Sequence, residues 1–475
     1  MQNKFYITTA IPYVNAAPHV GHALEFVQAD TIARIHRLLG NETCLLSGGD
    51  ENALKNVQAA EKAGVPLHEF IDMNSKLFED LAKKLHVQFD VFQKGSDTTH
   101  HYPASQKLWE LCKKDIYKKS YEGLYCLGCE AFYTKDELNE NGECFEHPGK
   151  KLELIKEENY FFALSKYQRQ LIDFISSDTI HIVPSVRKNE MLSFLKQPLQ
   201  DISISRSNTR AKNWGVPVPE DDTQRIYVWF DALNIYQSGV GFGWDEKQYD
   251  KWWPADVHVI GKGITRFHAI YWPAFLLSAG LKLPKTILVH GYFTVNGQKM
   301  SKTVGNIIDP NIFIDTYGVD SIRYYFLREL PTFADGDFSE KRFKELYNAD
   351  LANGLGNLIA RVAKLAEGIT YKGIGTTYEQ VYTNEYKKAI EEFRLHDAIA
   401  CVWETIKTTD QYINDNKPWT LKGVKLEKIL TPAIQNIRIV AIQLQPFLPE
   451  TAEKILAQFK GPTIASQQPL FPRII

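Results

Sequence analysis

The first forty residues leave little choice of fold. Phe5 to Ala10 (FYITTA) is aromatic and β-branched, the composition of a buried strand, and Pro12 ends it. Pro12 and Pro18 bracket a loop that cannot start a helix early. Then the period changes. Val20, Leu24, Val27, Ile35 and Leu38 share one helical face, and Gly40-Asn41 closes the helix. The same alternation, with strand candidates at 4–10, 42–47 and 87–92, predicts an open α/β sheet over residues 1 to about 115. Ligands of such sheets bind beyond the carboxyl ends of the strands, where His19, His22 and Asp50 fall. His19-Val20-Gly21-His22 lies where a strand feeds a helix. An anion is expected there, held by free backbone N–H groups, the positive dipole end and two imidazoles, with Gly21 allowing close approach.

A second element lies far downstream. Thr286 to His290 is another strand-like run, leading to Asn296-Gly297, a strong hairpin signal. The hairpin presents Lys299-Met300-Ser301-Lys302 on a mobile tip, and lysine is a compact charge suited to phosphate oxygens. Alone, either element is ordinary: two histidines at a helix start, or a solvated basic turn. Together they describe a nucleoside triphosphate held between a helix N-terminus and a cationic loop.

These two elements resemble the signatures of class I aminoacyl-tRNA synthetases. Tyr227-Val228-Trp229-Phe230-Asp231-Ala232-Leu233, Arg266-Phe267-His268 and Asn416-Lys417-Pro418-Trp419 extend the resemblance over nearly the whole chain, toward the methionyl-tRNA synthetase family. The fold expected is α/β. A Rossmann-like parallel-sheet catalytic domain (1–115 and 225–305) is split by a connective insertion (116–224), and a stem-contact connector (306–345) leads to a helical anticodon-binding bundle (346–475). The α/β pattern is expected to resume with Arg225 to Phe230 and Asp256 to Gly261. Apolar positions at Leu351, Leu355, Leu358, Ile359 and Val362 mark the bundle, which Lys417-Pro418 and Pro446 to Pro449 interrupt.

Composition bounds the rest. A chain of 475 residues needs two to four domains, and 44% hydrophobic with 24% charged residues describes an ordinary globular protein. No apolar stretch is long enough to span a membrane, and no secretory leader is visible. Six cysteines make no disulfide scaffold, and Cys44, Cys112 and Cys401 are scattered, so a cytoplasmic setting is expected. A net charge of −2 argues weakly against a general nucleic-acid coat protein without excluding a local basic groove. Because the chain stops at Ile475, soon after the bundle, a monomer is expected.

Cys126-x2-Cys129 and Cys144-x2-His147, joined by a 14-residue spacer, offer two short ligand pairs that can close a tetrahedron. All four positions are filled by protein, so one structural zinc is expected, with no open position for catalysis.

The resemblance implies that methionine attacks the α-phosphate of ATP, giving methionyl-adenylate, and that the methionyl group then passes to tRNA(Met). The attacking carboxylate is already ionised, so no general base is needed, and catalysis reduces to alignment and charge stabilisation. His19, His22, Lys299 and Lys302 are the implied catalytic residues. Gly21, Glu25, Gly261, Lys262, Met300 and Ser301 would line the ATP site, with Mg2+ accompanying the nucleotide. Methionine would occupy a slot of Ile11, Tyr13, Trp229, Ala232, Tyr236, Ile264 and His268, with Asp50 on its ammonium. Asn353, Asn357, Arg361 and Trp419 would meet the anticodon, the first three from one helix face at four-residue spacing. Two positions depart from the family. Gly263 stands where aspartate is usual, leaving Glu25 as the nearby carboxylate for the ribose, and Asn52 stands where histidine is frequent. Either Arg206 or Arg210 is expected to face the site. Alternatives are a tRNA-binding paralogue without activity and a sister class I enzyme for another apolar amino acid. The four intact signature residues oppose the first, and the lack of room for an editing domain opposes the second.

Overall fold

A computed structural model describes residues 3–126, 131–133, 137–145, 149–300, 306–371, 375–382 and 384–474, the side chains of Ala131 and Lys299 excepted. Its centre is a six-stranded parallel sheet. The strands are β1 (Lys4–Thr8), β2 (Glu42–Gly49), β3 (Val91–Lys94), β4 (His181–Val183), β5 (Val257–Gly261) and β6 (Thr286–His290), in spatial order β3-β2-β1-β5-β6-β4. The order reverses between β1 and β5, which makes the ends of these two strands the natural ligand crevice. Helix α1 (Val20–Leu38) follows β1 and buries Val20, Leu24, Val27 and Ile35, but Glu25, Ala29, Asp30 and Ala33 on its other faces are buried as well, so it is covered all round instead of showing one apolar face, and Gly40 leaves it at φ 81°.

Three elements differ from the sequence expectation. The third strand starts at Val91, because Val87 is buried among core side chains and Phe89 meets Phe26 edge-on, 5.0 Å between centroids. Arg225 to Phe230 is not one strand. Asp221–Ile226 pairs antiparallel with Ser205–Ser207 in a small separate sheet, and a helix, Val228–Ser238, starts at once. A short aromatic run reads alike as strand or buried helix. The sheet's sixth strand, β4, comes from within the segment expected to be an insertion and pairs with β6 from His181↔Thr286. The rest of that segment forms a long antiparallel ribbon, Ile116–Cys126 against Glu153–Phe162.

Apolar side chains collect on both faces of the sheet. One cluster joins α1 to the helices that follow residue 306, including the bundle helices Leu395–Asn416 and Gly423–Leu444. The other joins the opposite sheet face to the insertion and the helix Val228–Ser238. Between catalytic sheet and bundle lies Arg323, fully buried on the helix Val319–Arg328. It pairs with Asp30 of α1 at 2.9 Å and donates to the carbonyls of Leu85, Pro446 and Phe447 at 3.0, 3.0 and 2.8 Å. A buried guanidinium survives only with such complete partnering.

Candidate active site

His19 and His22 close the start of α1 in an unusual way. His19 Nδ1 accepts the Gly21 N–H at 3.1 Å, and His22 Nδ1 accepts the His19 N–H at 3.1 Å, a capping box made of imidazoles. The rings stack at 3.9 Å. Val20 N–H donates to Ile308 O, and the N–H groups of His22 and Ala23 donate to His19 O. The free backbone donors expected here are therefore all engaged inside the protein. What faces a ligand is imidazole. Since Nδ1 accepts in both rings, the proton resides on Nε2 of both. Burial, and next the neighbouring His19, hold His22 well below the usual histidine range, so it is a neutral donor at physiological pH. Gly21 also has a different reason to be glycine. A Cβ there would stand 3.0 Å from Cε1 of His19, so the small residue admits the folded-back ring.

The lysine hairpin comes to this same spot. Phe293–Val295 pairs antiparallel with Gln298–Lys299 across Asn296-Gly297, whose φ values of 50° and 74° give the left-handed turn expected. Cε of Met300 lies 3.9 Å from where a Cβ of Gly21 would stand. Ser301 and Lys302 lie outside the described residues, as does the side chain of Lys299. Just past that gap, Ile308 returns to cap α1.

Glu25 does not stand ready for a ribose. One of its oxygens accepts Ala10 N–H at 2.8 Å and the other meets His290 Nε2 at 2.9 Å, with the carboxylate buried. His290 is a residue that sequence reasoning passed over. It ends β6, and its Nδ1 contacts Gly291 O at 2.8 Å beside Gly261. Its position at the carboxyl end of a central strand was the available signal. Lys262, expected on ATP, pairs with Asp335 at 2.7 Å and lies 4.3 Å from the Tyr292 ring centre.

Of the residues expected around methionine, Tyr13, Asp50, Trp229, Tyr236, Ile264 and His268 are joined by contacts. Tyr13 and Asp50 form a parallel bridge, and the Asp50 side chain is buried. Trp229 meets Tyr13 edge-on at 6.5 Å and His268 at 6.5 Å, and it stacks on Phe267 at 3.7 Å. Tyr236 OH reaches His268 Nε2 at 2.8 Å, and His268 Nδ1 reaches Ile264 O at 3.0 Å. The carbonyl fixes the ring proton on Nδ1, so Nε2 accepts from the tyrosine. Burial pulls the His268 pKa down to about 4, leaving a neutral apolar wall. Ala232 lies one turn after Trp229 on the same helix, and Ile11 follows β1. Asn52 is no gap in the design. Its amide donates to Asp231 and to Gly95 O, both at 2.7 Å, and accepts from Tyr102 OH at 3.2 Å. His101 and Ser105 complete the partners of Asp231 at 2.9 and 2.8 Å. Arg206 is enclosed, 4.4 Å from the Tyr227 ring centre and donating to Ser203 and Ser205, whereas Arg210 leans on Tyr125 at 4.2 Å toward Glu153. A cleft of about 860 Å3 between insertion and catalytic sheet is lined by Arg206, Gly263, Arg266 and Phe267.

Of the four knuckle residues, Cys126 and Cys144 are buried at 3% and 1% exposure, while Cys129 and His147 lie outside the described residues. In the bundle, Trp419 is 54% exposed on a short 3-10 turn after Lys417. Arg361 is tied to Asp410 at 2.5 Å and Asn414 at 2.8 Å, and Asn353 accepts from Arg473 at 2.7 Å. Asn353 sits on a π-helical stretch, Tyr347–Gly356, and Asn357 opens the α-helix after it. The simple four-residue register expected for these three therefore fails between the first two, because a π-helix winds more residues into each turn.

An open parallel sheet, a histidine-capped helix at its switch point and a hairpin ending against that cap together define a class I aminoacyl-tRNA synthetase. The family described as "tRNA synthetases class I (M)" matches residues 5–363, and "Anticodon-binding domain of tRNA ligase" matches 380–474. Methionine–tRNA ligases are similar throughout. That of Thermotoga maritima is 38% identical over 99% of this chain and 80% of its own, and that of Brucella suis is 37% identical over 100% and 98%. The solved Mycobacterium tuberculosis methionyl-tRNA synthetase in complex with methionyl-adenylate superposes with a TM-score of 0.92 at 35% identity, over 99% of this chain and 100% of that one. Its free state gives 0.85 at 32% identity, over 100% and 99%. The chain belongs to the methionine–tRNA ligase family.

Proposed function

We propose that the chain activates methionine with ATP, releasing pyrophosphate, and passes the methionyl group from the adenylate to tRNA(Met), releasing AMP. The observation that supports this reading is the approach of Met300, in the lysine hairpin, to within 3.9 Å of where a Cβ of Gly21 would stand, between His19 and His22. The Nε2–H groups of His19 and His22 donate to phosphate oxygens as the α-phosphorus becomes five-coordinate. Lys299 and Lys302 offset the charge on the departing pyrophosphate. Both imidazoles are held by backbone, so little reorganisation accompanies the charge shift. Asp50 takes the methionine ammonium and the Tyr13–Trp229–His268 rings take the thioether, a polarizable group that favours aromatic neighbours. Mg2+ accompanying ATP would supply screening of its phosphates when bound.

In the second step the bundle holds the anticodon, with Trp419 exposed for stacking on a base. Asn357 and Arg361 lie one turn apart on the same α-helix. A zinc ion on Cys126, Cys129, Cys144 and His147 would brace the insertion. The burial of Cys126 and Cys144 suits thiolate ligands, and zinc with four protein ligands supplies folding energy and no chemistry. We read the enzyme as a cytoplasmic monomer whose catalytic, connective, connector and bundle segments follow the sequence boundaries given above, except that His181–Val183 belongs to the catalytic sheet and not to the insertion. Among the described residues no helix is long and apolar enough to cross a membrane.

The test is pyrophosphate exchange with each of the twenty amino acids. Exchange with methionine alone is the expected outcome, and exchange driven by another amino acid but not methionine removes the assignment. Elemental analysis should find about one zinc per chain. A protein purified without chelators that holds none rules the metal out.

A further inference from the structure

The lysine hairpin is not a free flap. Its first strand, Phe293–Val295, pairs in parallel with Gly336–Phe338, the strand that leads toward the bundle. The segment leading into that strand passes so close that a Cβ on Gly291 would overlap Ala334 O at 2.0 Å. Two carboxylates flank it at alternate positions. Asp335 holds the base of the hairpin, accepting Tyr292 N–H at 2.8 Å and Lys262 Nζ at 2.7 Å. Asp337 holds the tip: one oxygen, Oδ1, accepts both Thr294 Oγ1 and Gly297 N–H at 2.7 Å. Thr294 is in turn the register partner of Lys299. A charged acceptor on a turn N–H is stronger than a neutral one, and it fixes the turn that starts the lysine strand. Asp337 itself is exposed, so its contacts do not serve the core.

We propose that Asp337 is a positioning residue for nucleotide activation: it clamps the Asn296-Gly297 tip and so sets where the hairpin lysines stand over the phosphates. The inference rests on the reading of those lysines as ATP ligands, and it goes beyond that reading by assigning their placement to a carboxylate on another segment.

Methionine-dependent exchange on the full chain, with active sites counted by adenylate burst, tests it. Asp337→Ala should lower kcat per active site by roughly tenfold while the KM for methionine stays within about twofold. Asp337→Asn keeps an oxygen for Gly297 N–H and should recover to within about threefold of wild type. A wild-type kcat in Asp337→Ala, equal losses in the Ala and Asn variants, or a loss confined to the count of active sites overturns the clamp. Should Asp337→Ala fail to fold, Thr294→Val removes one clamp contact and should lower the same kcat by about threefold, with no change counting against the proposal. Lys302→Ala separates the two readings. If it exchanges normally, the hairpin lysines are not ATP ligands and both readings fall. If it is inactive while Asp337→Ala is normal, the clamp alone is wrong.

Discussion

The proposed methionine slot and the proposed anticodon face are built in opposite ways. In the slot, Tyr236, His268 and Ile264 are locked into one chain of hydrogen bonds, and Trp229 is pinned between Tyr13 and Phe267. Its rigidity comes from burial. On the bundle, Trp419 stands 54% exposed, and Arg361 is restrained by surface partners, Asp410 and Asn414. A small apolar ligand is distinguished by shape, which needs fixed walls. A single-stranded loop is met by stacking and by polar groups that exchange internal partners for bases. On that reading the slot holds its geometry in advance, whereas the anticodon face would acquire its own on binding.

That contrast can be broken, starting where the effect should be largest. Trp229→Ala empties the slot's central wall and should raise the KM for methionine about a hundredfold, on the order of 3 kcal/mol, leaving the KM for tRNA nearly unchanged. If methionine binding survives, the slot is not shaped by that ring. Trp419→Ala should do the reverse. Loss of one stacking ring should raise the KM for tRNA by roughly tenfold, with exchange kinetics and melting temperature unmoved. Equal damage to both reactions would mean that Trp419 supports the fold instead. The smallest effect concerns pH. His268 has a folded pKa near 4, below the ordinary value of 6.5, so it must gain a proton to unfold below neutrality. Stability is then full above about pH 6.5 and falls as pH drops toward 4, by up to about 3 kcal/mol from this residue. Thermal melts across that window should show the fall, and His268→Gln should make it shallower by one residue's share, since His22, His36 and His258 are also held below the usual range by burial. An unchanged slope in the variant would show that His268 is not the titrating group.

What could be read in advance follows the same division. Local signals were legible: the strand through Phe5, the helix start at Val20 and the Asn296-Gly297 turn appear as read, although the strand ends at Thr8 and α1 is buried well beyond the face its spacing marked. The residues assigned to the slot come from family motifs, and their contacts with one another were not visible in any periodicity. Signals carried by contacts across the chain were missed. Tyr227 to Phe230 has the composition of a strand, yet a helix starts at Val228, because only packing separates a buried helix from a buried strand. Three residues at His181 are too few for any pattern, and only pairing with Thr286 makes them a strand. The pairing of Glu25 with His290 spans 265 positions, so neither residue announces the other. Asn52 illustrates the converse. It stands where the family often has histidine, and Gly95, Asp231 and Tyr102 occupy both of its N–H donors and one site on its carbonyl oxygen, partners that no local reading could supply.

Arg323 makes the two lobes of the molecule obligate neighbours. Its carbonyl partners Pro446 and Phe447 lie more than a hundred residues downstream of it, while its carboxylate partner Asp30 belongs to the helix that carries the histidine cap. A catalytic fragment cut off before those carbonyls would carry a half-satisfied guanidinium against its own first helix. Trimming the chain from its far end should therefore weaken the seat of the nucleotide before it touches any residue that meets ATP.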